Sequence, residues 1–177
     1  DVLARLTAPR APVAGLDMAR PNIMGILNVT PDSFTDGGQH NAPATALAHA
    51  QTMQGQGADL IDVGGESTRP GALPVDPTEE IARTAPVIAA LRGAGLGLPV
   101  SIDTRKTAVA RAAIAAGANL VNDVSGFTFD DGLAAYCAAE NLPVCVMHAQ
   151  GDPQTMQVNP RYDNVLLDVY DHLAARI

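Results

Sequence analysis

Five times along this chain a run of four to six residues rich in Val, Ile and Leu gives way to a polar loop and then to an Ala-rich stretch with helical spacing. Strands are expected at 22–27, 59–63, 99–102, 119–124 and 143–147, and helices at 43–55, 77–92, 105–116, 131–140 and 161–177. Apolar runs without alternation predict strands buried on both faces, and strand-helix alternation predicts parallel βαβ units. This periodicity confines the chain to α/β folds built on a parallel sheet, and no linker or low-complexity tract divides residues 1–177, so a single domain is expected.

The helix ends are marked by chemistry. In Asp76-Pro77-Thr78-Glu79 a capping Asp precedes Pro at the first helical position, with Glu three residues after the cap; Ile81, Ala85 and Ile88 then share one face. Pro86 is expected to kink that helix. Gly117 closes the third helix, because glycine takes the left-handed conformation without penalty. Residues 93–98, Gly-Ala-Gly-Leu-Gly-Leu, precede a strand instead of following one and lack the G-x-G-x-x-G spacing, so they read as a helix-to-strand turn. Apolar and polar residues alternate through Leu3–Met18 around Pro9-Arg10-Ala11-Pro12, which suggests an N-terminal hairpin covering one end of the sheet.

Composition excludes several classes of function. With 47% apolar and 17% charged residues, against an average of roughly 25% charged, the chain is not disordered. The 11 basic and 19 acidic residues give a net charge of −8, and the basic residues are scattered, so no nucleic-acid partner is expected. No apolar run approaches the ~18 residues of a membrane span. The opening residues carry an acid and no apolar core of a signal peptide, which points to the cytoplasm; they also lack Met, so the natural start is expected upstream. Cys137 and Cys145 have neither C-x-x-C nor zinc-ligand spacing and are expected to fill the core.

Almost every strand runs into a polar side chain at its C-terminal end: Asn28, Asp62 with Glu66, Asp103, Asn122 with Asp123, and His148. In parallel α/β folds that end faces a common crevice where ligands bind; the alternative is that these side chains cap the following helices. Residues 28–38 place an amide, three hydroxyls and two carboxylates in one long connection, the length of a binding loop. Asn28-Val29-Thr30 is formally a glycosylation sequon, but Pro31 follows it. Residues 64–71, Gly-Gly-Glu-Ser-Thr-Arg-Pro-Gly, open on two glycines for close backbone approach and carry two hydroxyls and one guanidinium. That set suits an anionic group such as phosphate, the alternative being a Gly-rich turn with an exposed Arg.

Met24 to Phe34, Asp62 to Gly71, Ser101-Ile102-Asp103-Thr104, Asn122 to Gly126 and Met147 to Gly151, in this order, resemble the motifs of dihydropteroate synthase. The resemblance implies a (β/α)8 TIM barrel that joins 6-hydroxymethyl-7,8-dihydropterin pyrophosphate to p-aminobenzoate, releases pyrophosphate, uses Mg2+ and is the target of sulfonamides. It implies a homodimer when the barrel is complete. Asn28 matches the family's magnesium ligand at the pyrophosphate. Thr68 and Arg69 match pyrophosphate contacts and, with Asp32, the catalytic set. Phe34, Ser67 and Pro70 match the wall of the p-aminobenzoate and sulfonamide site. Asp103 and Asn122 match pterin contacts, with Met147 at the floor of that pocket. His148 matches no firm role and is expected to be buried and hydrogen-bonded, whereas His40, His49 and His172 look like surface residues.

A TIM barrel needs eight βα units and typically ~250 residues. About five are present, so the sequence is expected to be part of a longer barrel or a short paralogue completed by another chain. The family's later motifs, a second pterin-binding Asp, a Lys, and an Arg and His, have no counterpart; the single Lys, Lys106, opens the third helix and does not match. Two other readings remain, a non-catalytic pterin-binding paralogue and a pterin-dependent methyltransferase module.

Overall fold

Five parallel strands lie side by side in sequence order, each but the last returning to its neighbour through a helix. The computed structural model describes residues 4, 7–30, 42–67, 74–151 and 155–176. The strands are β1 (Met24–Asn28), β2 (Leu60–Gly64), β3 (Val100–Asp103), β4 (Leu120–Asp123) and β5 (Val144–Val146). The helices are α1 (Ala42–Gly55), α2 (Pro77–Gly93), α3 (Thr107–Ala115), α4 (Asp131–Ala139) and α5 (Val165–Ala174). Every expected element is found, with ends shifted by a few residues. The α/β class is confirmed.

Side chains in register on parallel strands share a face, so the pairing sorts the sheet into two surfaces. Leu27, Val63, Ile102 and Val121 are fully buried against the helices, where Ala46, Val87, Ile88, Leu91 and Val109 meet them. The opposite face carries one row of Ile26, Asp62, Ser101 and Leu120 and a second of Asn28, Gly64, Asp103, Asn122 and Cys145.

Burial on both faces holds for β2, whose five residues are all buried, and fails at the edges. Ile26 of β1 is 63% exposed and Val144 of β5 is 41% exposed, because sequential strand order leaves each edge strand with a single neighbour. Cys137 fills the core as expected, whereas Cys145 lies exposed on the edge strand β5. The α5 helix buries none of its residues, and Leu166 and Tyr170 stand in the open.

The capping signals act as the sequence requires. Asp76 accepts from the Thr78 N–H at 2.8 Å, and α2 runs unbroken through Pro86. Residues 93–98 form a turn rather than an anion loop: the Arg92 guanidinium donates to the carbonyls of Leu96, Leu98 and Gly117 at 2.8–2.9 Å. Among the described residues the expected N-terminal hairpin contracts to one antiparallel bridge between Val13 and Leu16. Ala14 and Gly15, at φ 50° and 85°, make the tight turn. Pro9 and Pro12 lack the N–H groups a longer ladder needs.

The pair Gly64-Gly65 serves two different needs. A Cβ at Gly65 would stand 2.8 Å from Thr84 Cγ2 and 3.1 Å from Glu80 Cγ, so only glycine lets α2 approach the end of β2. Both neighbours are buried and cannot swing into solvent. Gly65→Ala is therefore expected to lower the unfolding free energy by about 1–3 kcal/mol, the usual cost of overpacking, as read by urea denaturation.

Candidate functional site

The second row of the inner face forms the site. Asn28, Asp103, Asn122 and Cys145 sit in register at the C-terminal ends of four strands, with Gly64 between the first two. The bare Gly64 backbone keeps this mouth open: a Cβ there would stand 3.5 Å from Asp103 Oδ2 and 3.7 Å from Asn28 Oδ1. One row deeper, buried Asp62 accepts a hydrogen bond from Asn122 Nδ2 at 3.1 Å, so the amide bridges toward the acid.

Both acids resist ionisation. Burial pushes the Asp103 carboxyl up to about 7, and the nearby carboxylates of Asp62, Glu80, Asp123 and Glu66 add to the shift. Burial also raises Asp62, with the neighbouring Ser101 hydroxyl and the Asn122 amide opposing. Asp62 Oδ1 and Asp103 Oδ1 are enclosed yet have no hydrogen-bond partner among the described residues. Buried polar atoms are ordinarily paired, so two orphaned acceptors on one face mark a place for a donor-bearing ligand.

The remaining strand-end residues divide by role. Asp123 is structural: it accepts from the N–H groups of Ser125 and Phe127 and from the Ser125 hydroxyl, each at 2.7 Å, and so shapes the loop after β4. It does not cap the following helix, whose cap is Asp130, accepting from the Gly132 N–H. Glu66 meets Arg105 and Lys106 in a buried ion cluster. His148 is half-buried, its ring 4.7 Å from that of His172 and 5.7 Å from that of Tyr162. It makes ring contacts where a buried hydrogen bond is expected, and half-buried His172 is drawn in by the same contact. His49 is exposed, as expected.

Of the residues named by resemblance, Asn28, Asp103 and Asn122 come together at the mouth. Half-buried Ser67 lies in the connection after β2. Met147 is half-buried and lines a cavity of about 400 Å3 with Arg105, Ser125, Phe129 and His172; Asp103 and Asn122 are not part of that wall. Asp32, Phe34, Thr68, Arg69, Pro70 and His40 lie outside the described residues.

A reading of strand ends finds Asp62 but not its partner, and it misses Glu80 and the role of Lys106. Asp62 is a strand-end acid to which the resemblance gives no role, yet it pairs with Asn122. Glu80 falls on the buried stripe of α2 with Thr84, Val87, Ile88 and Leu91. A carboxylate at that helical spacing demands a buried cation, and Lys106, the single Lys of the chain, is that cation.

Among the described residues no group of three or more His, Cys, Asp or Glu side chains could hold a metal ion. The chemistry of the mouth nevertheless fits Mg2+. That ion keeps several waters and takes phosphate oxygens, so it needs few protein ligands, and Asn28 Oδ1 opposite Asp103 Oδ2 supplies a suitable oxygen.

A family model described as pterin binding enzyme matches residues 24–177. The chain belongs to the pterin binding enzyme family. Similar relatives include the dihydropteroate synthase of Synechocystis sp., 48% identical over 158 residues, which covers 89% of this chain and 54% of the relative. That of Escherichia coli K12 is 46% identical over 162 residues, covering 92% and 57%. The chain spans about half the length of the curated relatives it matches. Among solved structures, the Yersinia pestis dihydropteroate synthase with a sulfonamide drug complex superposes with a TM-score of 0.82 at 48% identity, over 91% of this chain and 58% of that one. The Burkholderia cenocepacia enzyme complexed with 7,8-dihydropteroate gives 0.76 at 51% identity, over 91% and 53%. The five βα units of this pterin binding enzyme chain thus correspond to part of a (β/α)8 barrel.

The raised Asp103 carboxyl links stability to pH. Folded Asp103 holds its proton up to about 7, whereas the unfolded group releases it near 3.8, so this residue's contribution is fully present below pH 3.8 and is lost as pH rises through about 7. The stability gained by Asp103→Asn, relative to the parent, is therefore expected to grow between about pH 4 and 7 and then level off in thermal denaturation at stepped pH.

Proposed function

We propose that the protein carrying this chain is a dihydropteroate synthase that condenses 6-hydroxymethyl-7,8-dihydropterin pyrophosphate with p-aminobenzoate. The observation that carries this reading is the pair of orphaned carboxylate oxygens, Asp62 Oδ1 and Asp103 Oδ1, beside the Asn122 amide. A pterin presents a planar edge with an amino group and a ring N–H, donors that match two acceptors, while the amide supplies both polarities. The dihydropteroate and sulfonamide complexes of the solved relatives support the same substrate class and inhibitors.

The reaction is a displacement at the pterin CH2 carbon. The amine nitrogen of p-aminobenzoate donates its lone pair to form the C–N bond, the C–O bond breaks, and its electron pair leaves with pyrophosphate. The amine proton is released to solvent. The acids and amide hold the heterocycle so that the CH2 group faces the mouth. Arg69 and Thr68 bind the departing pyrophosphate, Asp32 lies in the same catalytic set, and Phe34, Ser67 and Pro70 wall the amine site. Asn28 would hold Mg2+, which when bound would neutralise charge growing on the leaving group. Met147 belongs to the floor of the pterin pocket in this reading. No helix among the described residues is long and apolar enough to cross a membrane. The reading places the enzyme in the cytoplasm, as a homodimer.

The full-length protein is expected to release pyrophosphate in step with dihydropteroate when given both substrates and Mg2+. Asp103→Ala removes one acceptor of a charged hydrogen bond, worth about 1.5–3 kcal/mol, and is expected to lower kcat/KM roughly tenfold to a hundredfold. Pterin binding without pyrophosphate release would instead identify a non-catalytic paralogue.

A further inference from the structure

We propose that Glu66 and Lys106 are positioning residues for the p-aminobenzoate half-site, clasping the two ends of the 67–74 connection against α2 and α3; this rests on the synthase reading above. Every oxygen of the two carboxylates and every proton of the ammonium has a partner. Glu66 Oε1 accepts from Arg105 Nη2 at 2.5 Å, and Glu66 Oε2 accepts from the Val75 N–H at 3.1 Å and from Lys106 Nζ. Lys106 Nζ donates in addition to the Val75 carbonyl at 2.8 Å and to Glu80 Oε2 at 2.5 Å, so its three protons have three acceptors. The second Glu80 oxygen accepts from the Thr104 hydroxyl at 2.7 Å. Both polar groups of the Val75 backbone are thus bound to the same ion pair that begins with Glu66.

Two observations favour a positioning role for this cluster over general stability. The side chains of Glu66 and Lys106 are only 8% and 7% exposed, and Glu80 only 1%. Ion pairs so deeply buried return little net stability, because desolvation offsets their attraction, and their best attested use is to fix one arrangement among several. The cluster also joins the connection after β2 to the segment Thr104-Arg105-Lys106 directly after Asp103. One set of contacts therefore ties the residues flanking 68–73 to the strand that carries the candidate pterin acid. With two carboxylates, one ammonium and one guanidinium the cluster is neutral, so removing one member leaves an uncompensated charge that the loop ends must move to hydrate.

The experiment uses Glu66→Gln in the full-length protein, with Lys106→Met as the stronger variant and Lys106→Arg as the conservative one. Glu66→Gln keeps the volume and leaves the Lys106–Glu80 pair intact. It is expected to raise KM for p-aminobenzoate about tenfold while KM for the pterin pyrophosphate changes less than about threefold, with Lys106→Arg closer to the parent than Lys106→Met. Hydrogen exchange across 66–75 is expected to quicken at least about tenfold while β2 and β3 keep their protection. A lowered melting temperature with both KM values unchanged, or changed equally, would overturn the proposal. An inactive parent protein would contradict the synthase reading alone; the exchange pattern would then decide the clasp, and unchanged exchange at 66–75 in Glu66→Gln would reject it.

Discussion

Register in a parallel sheet is the constraint from which the site follows. Once Leu60 pairs with Met24, Val100 with Ile61 and Leu120 with Ser101, the ladder has no further freedom, and Asn28, Gly64, Asp103 and Asn122 must come level on one face. A slip of one residue on any strand would send its polar residue into the helix layer, where Val63, Ile102 and Val121 leave no space for charge. The packing of the apolar face therefore sets the position of the polar one. Gly64 completes the arrangement by leaving a gap in the row, and Gly65 fixes α2 close behind it.

Below the mouth, two electrostatic settings coexist within a few residues. Asp62 and Asp103 lie among other acids without a neighbouring cation, and their protons are held more tightly than usual. Glu66 and Glu80 meet Lys106 and Arg105, and Glu66 accordingly falls below the usual carboxylate range, as its Lys106 and Arg105 contacts and the Val75 N–H outweigh burial. The chain thus keeps one pair of acids available to a ligand and consumes the other pair in fixing the backbone. Acids buried without a cation are the costly ones, and sites that bind donors retain such groups.

Much of this was legible in the sequence, and the reasons are local. Short Val/Ile/Leu runs between capped Ala-rich stretches leave few folds open, and Asp76-Pro77 and Gly117 announce their helix ends directly. Polar residues at strand ends pointed to one mouth because parallel strands share a direction. What the sequence concealed depends on three-dimensional neighbours. Nothing local separates Asp123, which caps its own loop, from Asp62, which faces the site. Exposure at β1 and β5 follows from strand order, and the partner of Glu80 lies 26 residues away at Lys106. Cys145 resembles a core residue until its strand becomes an edge.

The central claim is that an ionised Asp103 accepts donors from a pterin ring. Calorimetric titration of the full-length protein with a pterin analogue between about pH 5 and 7.5 tests it most directly. The affinity is expected to rise up to about tenfold per pH unit and to flatten near 7, where Asp103 loses its proton. In Asp103→Asn that dependence is predicted to vanish together with most of the affinity. A parent protein whose affinity ignores pH over this range, or a variant with the parent's profile, would contradict it.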